Sequence, residues 1–233
     1  MDGVMKLIRN RHSDRVPFDE TRKIADHDLS QILEAGRWAP TAHNMQNFQI
    51  VVVDDRILLS AIGAISRPIS EVFVRENYQQ LSFSEEELVK RKVGLLGTMF
   101  PSYMRNPEAA FPPKGMPTMP APVLLFVLYD PRRRAPASEG DFLGIMSIGC
   151  VMENMWLVAD SLEIGFHVVS SMSAPQVARE IKNILDIPEP LQIAFACRLG
   201  YPAVPQGKYL RVRRDIEDFA HRNRFGAAFQ SKR

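Results

Sequence analysis

One segment of the chain, residues 141–165, is apolar on almost every side. It reads DFLGIMSIGCVMENMWLVADSLEIG, and between its ends the charged or amide interruptions are Glu153, Asn154, Asp160 and Glu163. A helix of this composition cannot turn one broad face to water. The segment therefore predicts a helix in the middle of the fold or at a subunit interface, around which the other elements must pack.

Helix and strand patterns alternate along the rest of the chain. The β-branched or apolar runs FQIVVVDD (48–55), PVLLFVLYD (122–130), FHVVSS (166–171) and LQIAFACRLG (191–200) predict strands. An amphipathic helix is predicted in ADHDLSQILEAGRWAP (25–40), with Asp26 or Asp28 as its N-cap. A second helix is predicted in SEEELVKRKVGLLG (84–97), where Ser84 and Glu87 form a capping box. A third is predicted to begin at a capping box of Ser173 and Gln176 and to run through Leu185. This interleaving predicts a central sheet with helices on its faces.

The short connections predict a single domain over residues 1–233, with residues 56–120 as an elaboration that is rich in Pro, Gly and Met towards its end. Cys150 and Cys197 lie in apolar surroundings without metal-ligand spacing, so we expect buried, reduced thiols. The chain has no uncharged apolar run of about 18 residues and no signal-peptide pattern at its start, so a cytoplasmic protein without a membrane span is expected.

Basic residues cluster near both ends of a chain whose formal net charge is only +2. Near the start, Arg9, Arg11, His12 and Arg15 lie within seven positions. From Pro205 onward the chain contains eight Lys or Arg residues and three acidic residues. Two local clusters favour one anionic ligand over a nucleic-acid surface, which would also need interleaved aromatic residues. The side chains of Arg11, His12, Ser13 and Arg15 could hold a phosphate or an electron-rich heterocycle, or they could form an ordinary solvated helix end.

A second candidate stretch, WAPTAHNMQNF (38–48), lies between a predicted helix and a predicted strand. Its side-chain amides, on Asn44 and Gln46, suit the imide edge of a flavin or a nucleobase. The same residue types are common in turns that bind nothing. The sequence has no GxSxG, HExxH, GxxxxGK[ST] or GxGxxG pattern, and its five histidines are dispersed. Catalysis would thus need an organic cofactor rather than a metal or a nucleophile.

Four stretches, in order, resemble the signatures of the FMN-dependent nitroreductases. They are RHSDR (11–15), ILEAGRWAPTAHNMQNFQIVVV (32–53), GCVMENMWLVADSLEIGFHVVS (149–170), and RLGYP (198–202) followed by RVRRDIEDFAH (211–221). The resemblance implies an α+β fold, a three-layer α-β-α sandwich around a mainly antiparallel sheet. It also implies an intertwined homodimer with FMN sites at the subunit interface.

The resemblance assigns roles at this cofactor site. Arg11 and Ser13 would contact the FMN phosphate and ribityl chain, His12 stands where the family has Arg or His, and Arg15 would lie near the pyrimidine edge of the ring. The further expected FMN contacts are Pro40, Thr41, Asn44 and Gln46 from the partner subunit, the backbone of Val169, Ser170 and Ser171 beside the ring, and Arg211 and Arg213 at the phosphate. The two serines could instead cap a strand end. Asn47 and Phe48 depart from the Pro-Trp that the family often has after the Gln.

The implied reaction is a ping-pong transfer of hydride from NAD(P)H through flavin N5 to a small-molecule acceptor such as a nitroaromatic or a quinone, without a catalytic side chain. The alternatives are a specialised relative of the same fold (a dehydrogenase, a reductive dehalogenase or a flavin-degrading enzyme) and a non-catalytic FMN-binding protein. The insert bears on this choice. Its Met99, Phe100, Tyr103, Met104, Phe111 and Met116 could line an acceptor pocket or form the insert's own core, and Arg67, Arg75 and Arg105 could meet an acidic substrate or water.

Overall fold

The computed structural model describes residues 2–67, 85–91, 121–205 and 212–230. The chain divides into two compact units, one made of residues 1–67 and 114–206 and the other of residues 68–113 and 207–233. Whether the whole chain forms the single domain expected from its sequence stays a prediction. Several predicted residues lie outside the described ranges: Arg75, Ser84, Met99, Phe100, Tyr103, Met104, Arg105, Phe111, Met116 and Arg211.

The first unit is built on a four-stranded antiparallel sheet. Its strands are β1 (Phe48–Val53), β2 (Val123–Tyr129), β3 (Gly165–Val168) and β4 (Gln192–Gly200), in the spatial order β1-β2-β4-β3. Every residue of the central strand β2 is buried, which explains its continuous apolar sequence. Because successive side chains of a strand point to opposite faces, β2 supplies both faces of the sheet with core residues.

Two helices cover one face of the sheet. They are α2 (Asp26–Arg37) and the long α5 (Phe142–Ser161), the helix predicted from the all-round apolar segment. Leu125 and Val127 of β2 share a core there with Ile32 of α2 and with Val151 and Met155 of α5. By length and composition alone, α5 could also span a membrane, as core helices of soluble proteins often can.

Two shorter helices cover the opposite face. They are α3 (Arg56–Gly63) and α6 (Pro175–Ile184), which bury Ile62 and Ile181 against Leu124 and Phe126 of β2. The sheet therefore lies between two helical layers, as an α-β-α sandwich requires. The N-terminal helix α1 (Asp2–Asn10) contacts α5. Since α3 belongs to this layer, the elaboration predicted from residue 56 begins with a helix of the core.

The described part of the second unit contains a helix, α4 (Glu85–Arg91), and residues 212–230. In the latter segment a 3-10 helix, Ile216–Asp218, starts with a capping box in which Asp215 and Asp218 bond each other's backbone. Helix α4 confirms the helix predicted over residues 84–97 in the part of that segment that the structure describes, residues 85–91.

Two predicted helix caps are wrong. Helix α2 begins at Asp26 with Ala25 in the N-cap position, so neither Asp26 nor Asp28 caps it. Helix α6 begins at Pro175 after Ala174, without a side-chain cap. The Ser173 hydroxyl instead donates to the carbonyl of Ala194 on β4, because residues 170–173 already form a 3-10 turn beside that strand.

Candidate functional site

The predicted basic cluster lies on a segment, residues 11–19, which we call the N-terminal arm. Asp14 pairs the arm with β3, since its amide donates to the carbonyl of Phe166 at 3.1 Å and its Oδ2 accepts from the Phe166 amide at 2.8 Å. At the end of the arm, the Asp19 amide donates to the carbonyl of Tyr201 at 2.8 Å. The arm is therefore fixed to the edge of the sheet by backbone hydrogen bonds and by the Asp14 carboxylate.

Two glycines make room for the aromatic anchor of the arm. Gly165 of β3 faces Gly200 of β4, and Phe18 packs on both. A Cβ added to Gly165 would lie 2.6 Å from the Phe18 ring, and one added to Gly200 would lie 2.8 Å from the Cβ of Phe18. Larger residues at either strand position would displace the arm.

Arg11 packs on the middle of α5. Its Nε lies 3.1 Å from Oε1 of Glu153, and its guanidinium carbon is 4.4 Å from the ring centroid of Trp156. Trp156 in turn donates from Nε1 to the carbonyl of His12 and stacks on Phe166. The start of the arm is thus held by an ion pair, a cation–π contact and a hydrogen bond.

His12 lies between two carboxylates. Its Nε2 is 3.1 Å from Oδ1 of Asp14, and its Nδ1 is 3.8 Å from Oδ1 of Asp160 and 3.0 Å from the carbonyl of Asn10. The hydrogen bond with Asp14 is the main cause of a raised His12 pKa, against partial burial, which lowers it. The structure thus pairs this predicted FMN contact with protein carboxylates.

Sequence reasoning missed a buried cation behind the arm. Arg198 on β4 is 1% exposed, and its Nη2 donates to the carbonyls of Asp14 and Val16, each at 3.3 Å. Its Nε and Nη2 also lie 3.2 and 3.1 Å from Nδ1 of His167, its partner in the β3–β4 register. The sequence feature that could have indicated this buried cation is the single arginine inside the apolar run LQIAFACRLG.

The environment of His167 is positively charged. Burial, together with the charges of Arg198 and Arg15, lowers the pKa of His167 to about 3. Burial likewise lowers the pKa of Arg198 to about 10, with Asp14 opposing and Arg67 reinforcing that shift. Ser13 and Arg15, the other predicted residues of the arm, are half-buried and have bonding or electrostatic partners.

The predicted amide-rich loop, residues 40–47, is a strained turn. His43, Asn44 and Gln46 all have positive φ, at 51°, 52° and 46°. Non-glycine residues in this left-handed region concentrate at functional sites. The Gln46 amide donates to Oγ1 of Thr41, and the Gln46 side chain donates to Oδ1 of Asn44.

A serine that sequence reasoning also missed anchors this loop to α5. The Ser147 hydroxyl accepts from the Ala42 amide at 3.0 Å and donates to the Leu143 carbonyl at 2.7 Å. Asn47, where the family often has proline, is buried and donates to the carbonyl of Arg133 at 3.4 Å. The loop and the arm therefore attach to different parts of α5, the loop near Ser147 and the arm from Glu153 to Asp160.

The remaining predicted residues make local contacts of their own. Val169 donates its amide to the carbonyl of Ala196, and Ser170 and Ser171 begin the 3-10 turn after β3. Arg213 belongs to the second unit, where it is exposed and donates to the Val212 carbonyl at 2.8 Å. The roles of these residues toward FMN stay predictions.

Comparison with known proteins decides the family. The model of the nitroreductase family matches residues 8–201, which include the arm, the loop, α5 and the whole sheet. The chain belongs to the nitroreductase family. This confirms the resemblance drawn from the four sequence stretches.

Individual relatives of this nitroreductase-family protein are distant. It is 24% identical over 232 residues to an "NADPH-dependent oxidoreductase" of Staphylococcus haemolyticus, covering 100% of the chain and 78% of the relative. Over 225 residues it is 25% identical to a protein of Archaeoglobus fulgidus that is named "Putative NADH dehydrogenase/NAD(P)H nitroreductase". That match covers 97% of this chain and 100% of the relative.

Solved structures confirm the fold. A nitroreductase with bound FMN from Bacteroides fragilis superposes with a TM-score of 0.55 at 20% identity, covering 91% of this chain and 96% of the other. The nitroreductase-like α+β fold expected from the sequence is thereby confirmed.

Proposed function

We propose that this nitroreductase-family protein is an FMN-dependent oxidoreductase that takes hydride from NAD(P)H and reduces a small acceptor such as a nitroaromatic or a quinone. The observation that carries the proposal is the cationic arm, which is fixed to the sheet edge and backed by the buried guanidinium of Arg198. The names of similar proteins agree with it, one being an NADPH-dependent oxidoreductase and one a nitroreductase with bound FMN.

The charges behind the arm fit an anionic cofactor. Arg67 and Arg198 are 5% and 1% exposed, and Arg15 lies close enough to influence the pKa of His167. Within the described residues, the Nε atom of Arg67 is buried without a hydrogen-bond partner. Asp14 is the one buried carboxylate in the described part of the chain. Since buried charge is costly unless it is paired, and cations outnumber carboxylates among the buried residues described here, a ligand with phosphate and electron-rich ring edges suits this environment.

The residues of this chain would divide the binding between them. Arg11 and Ser13 would hold the phosphate end, and Arg15 would face the pyrimidine edge, where reduction places negative charge that a fixed guanidinium stabilises. The strained loop would present Asn44 and Gln46 to a flavin bound to the partner subunit. Bound FMN would supply the hydride and electron transfer itself, while the protein provides binding, orientation and electrostatics. His12 would act indirectly, by fixing the arm through Asp14.

The proposal includes a homodimer. The N-terminal half of α5 exposes Phe142, Ile145 and Met146 by 66, 50 and 54%, and α1 exposes Val4 by 67%. Apolar side chains clustered on exposed faces favour burial by a second chain. A partner on α5 would also explain how the loop and the arm, attached to different parts of the same helix, serve one cofactor. The free cysteines Cys150 and Cys197 support a reducing, cytoplasmic location.

The test begins with the purified protein loaded with FMN. We expect one FMN per chain, a dimer in sedimentation, and anaerobic bleaching of the flavin by NADH or NADPH. Reoxidation by a panel of nitroaromatics, quinones and free flavin would identify the acceptor class. Flavin that neither nicotinamide bleaches would contradict the reductase proposal and favour a non-catalytic FMN-binding protein. Bleaching without reoxidation by any acceptor would favour a specialised relative.

A further inference from the structure

We infer that Arg198, oriented by His167, is a positioning residue that fixes the backbone on both sides of Arg15 and so sets the place of the Arg15 guanidinium at the flavin. The inference rests on the proposed function for the role of Arg15. We call the contacts of Arg198 with His167 and with the carbonyls of Asp14 and Val16 the clamp. The clamp is observed in the described residues and can be tested separately from the proposed function.

The contacts of Arg198 converge on one short stretch of the arm. Its Nη2 donates to the carbonyls of Asp14 and Val16, the two neighbours of Arg15. Its guanidinium carbon also lies 4.7 Å from the ring centroid of Phe18. With both flanking carbonyls bound, the backbone of Arg15 has little freedom to shift along β3.

His167 orients this guanidinium. An arginine side chain carries only donors, so Nδ1 of His167 must accept from both Nε and Nη2 of Arg198. The neutral ring is favoured by burial and by the charges of Arg198 and Arg15. His167 therefore holds one edge of the guanidinium, while Nη2 also reaches the two arm carbonyls.

The geometry requires arginine rather than any cation. A lysine at position 198 would keep the charge, but a single ammonium cannot reproduce the planar fork that joins the ring nitrogen and the two carbonyls. Asp14 adds the opposing charge, and its side chain is tied to both the Phe166 amide and His12. The arm, β3 and β4 thus meet at one buried group.

The clamp can be tested without any flavin, by hydrogen exchange in the arm of the full chain. In Arg198→Met and Arg198→Lys we expect the Asp14 and Phe166 amides, which form the arm–β3 pairs, to exchange at least tenfold faster than in the wild type. His167→Asn, whose Oδ1 can replace Nδ1 as acceptor, should keep wild-type protection, whereas His167→Leu should lose it. Unchanged exchange in both Arg198 variants and in His167→Leu would overturn the clamp.

A matched control separates the clamp from general loss of stability. Ile193→Ala trims a buried side chain of the same strand, five residues from Arg198 and therefore about 17 Å along β4. It should destabilise the protein without a selective effect on the arm. If Ile193→Ala exposes the arm amides as strongly as Arg198→Met, the clamp is overturned.

The effect on flavin is tested with a double-mutant cycle on the FMN-loaded protein. We expect Arg198→Met to lower the flavin midpoint potential in the wild-type background and to leave it unchanged in an Arg15→Met background, because Arg198 acts through Arg15. Additive effects of the two substitutions would overturn the positioning role. Failure of the wild-type protein to bind FMN would instead refute the proposed function, while the hydrogen-exchange test of the clamp would still apply.

Discussion

Nδ1 of His167 accepts hydrogen bonds from Nε and Nη2 of Arg198, at 3.2 and 3.1 Å. The pair lies directly across the β3–β4 ladder, so two residues 31 positions apart in sequence meet through strand register alone. Since protonation of Nδ1 would place two donors against each other, the contact exists only with a neutral ring. Burial is the main cause of the pKa of about 3 for His167, and the charges of Arg198 and Arg15 add to it.

Replacing His167 by Asn should remove one component of acid sensitivity. The native pKa of about 3 lies below the ordinary value of 6.5, so the unfolded chain binds this proton first as the pH falls. The stabilisation is thus complete above pH 6.5 and is lost as the pH falls toward 3, by about 1.4 kcal/mol per pH unit. The wild-type free energy of unfolding minus that of His167→Asn should show this slope.

Chemical denaturation between pH 3.5 and 8 measures that difference. His27→Asn, at an exposed position of α2, controls for the loss of a histidine as such. A flat difference between the wild type and His167→Asn across this range would contradict the assignment of a neutral, buried ring.

His12 should give the opposite dependence on pH. Its pKa is raised chiefly by the hydrogen bond to Asp14, so the stabilisation is present below pH 6.5 and is lost as the pH rises through the higher native pKa. The side chain is 36% exposed, so we expect His12→Asn to remove no more than about 1 kcal/mol. Denaturation from pH 5 to 9 measures this, and equal losses at both ends of the range would count against the ion pair.

The hydroxyl of Ser147 should hold the strained loop in place. Ser147→Ala leaves the Ala42 amide without its acceptor, which should cost about 1 kcal/mol of stability and speed hydrogen exchange of that amide. Ser161→Ala is the matched control, because the Ser161 hydroxyl also donates to a carbonyl of its own helix but makes no described contact with the loop. If both variants leave the Ala42 amide equally protected, Ser147 does not anchor the loop.

The sequence predicted the layers better than the contacts between them. Continuous apolar composition identified α5 and the buried strand β2, because such a run marks an element that turns no broad face to water. The capping box at Ser173 failed because a tertiary acceptor, the Ala194 carbonyl, competes for the same hydroxyl. Local patterns cannot foresee such competition.

The sequence likewise predicted some parts of the candidate site and missed others. The arm and the loop were found because their residue types are unusual within short windows of sequence. Arg198 and His167 were missed because their relation depends on which strands pair and in which register. Ser147 was missed because one hydroxyl inside an apolar helix does not reveal that a loop 105 positions away will need its oxygen.

Arg11 and Arg15 should differ in what their loss does to bound FMN. Arg11 is assigned to the phosphate, so Arg11→Ala should weaken FMN retention by about 10-fold to 100-fold, the range expected for a lost charge-assisted hydrogen bond. Arg15 is assigned to the pyrimidine edge, so Arg15→Ala should lower the midpoint potential more than it weakens binding. Equilibrium dialysis and anaerobic redox titration measure the two quantities on the same preparations. Arg179→Ala, on the exposed side of α6, should change neither. Matching changes in affinity and potential for Arg11→Ala and Arg15→Ala would contradict this division, because it places the two side chains at opposite ends of the cofactor.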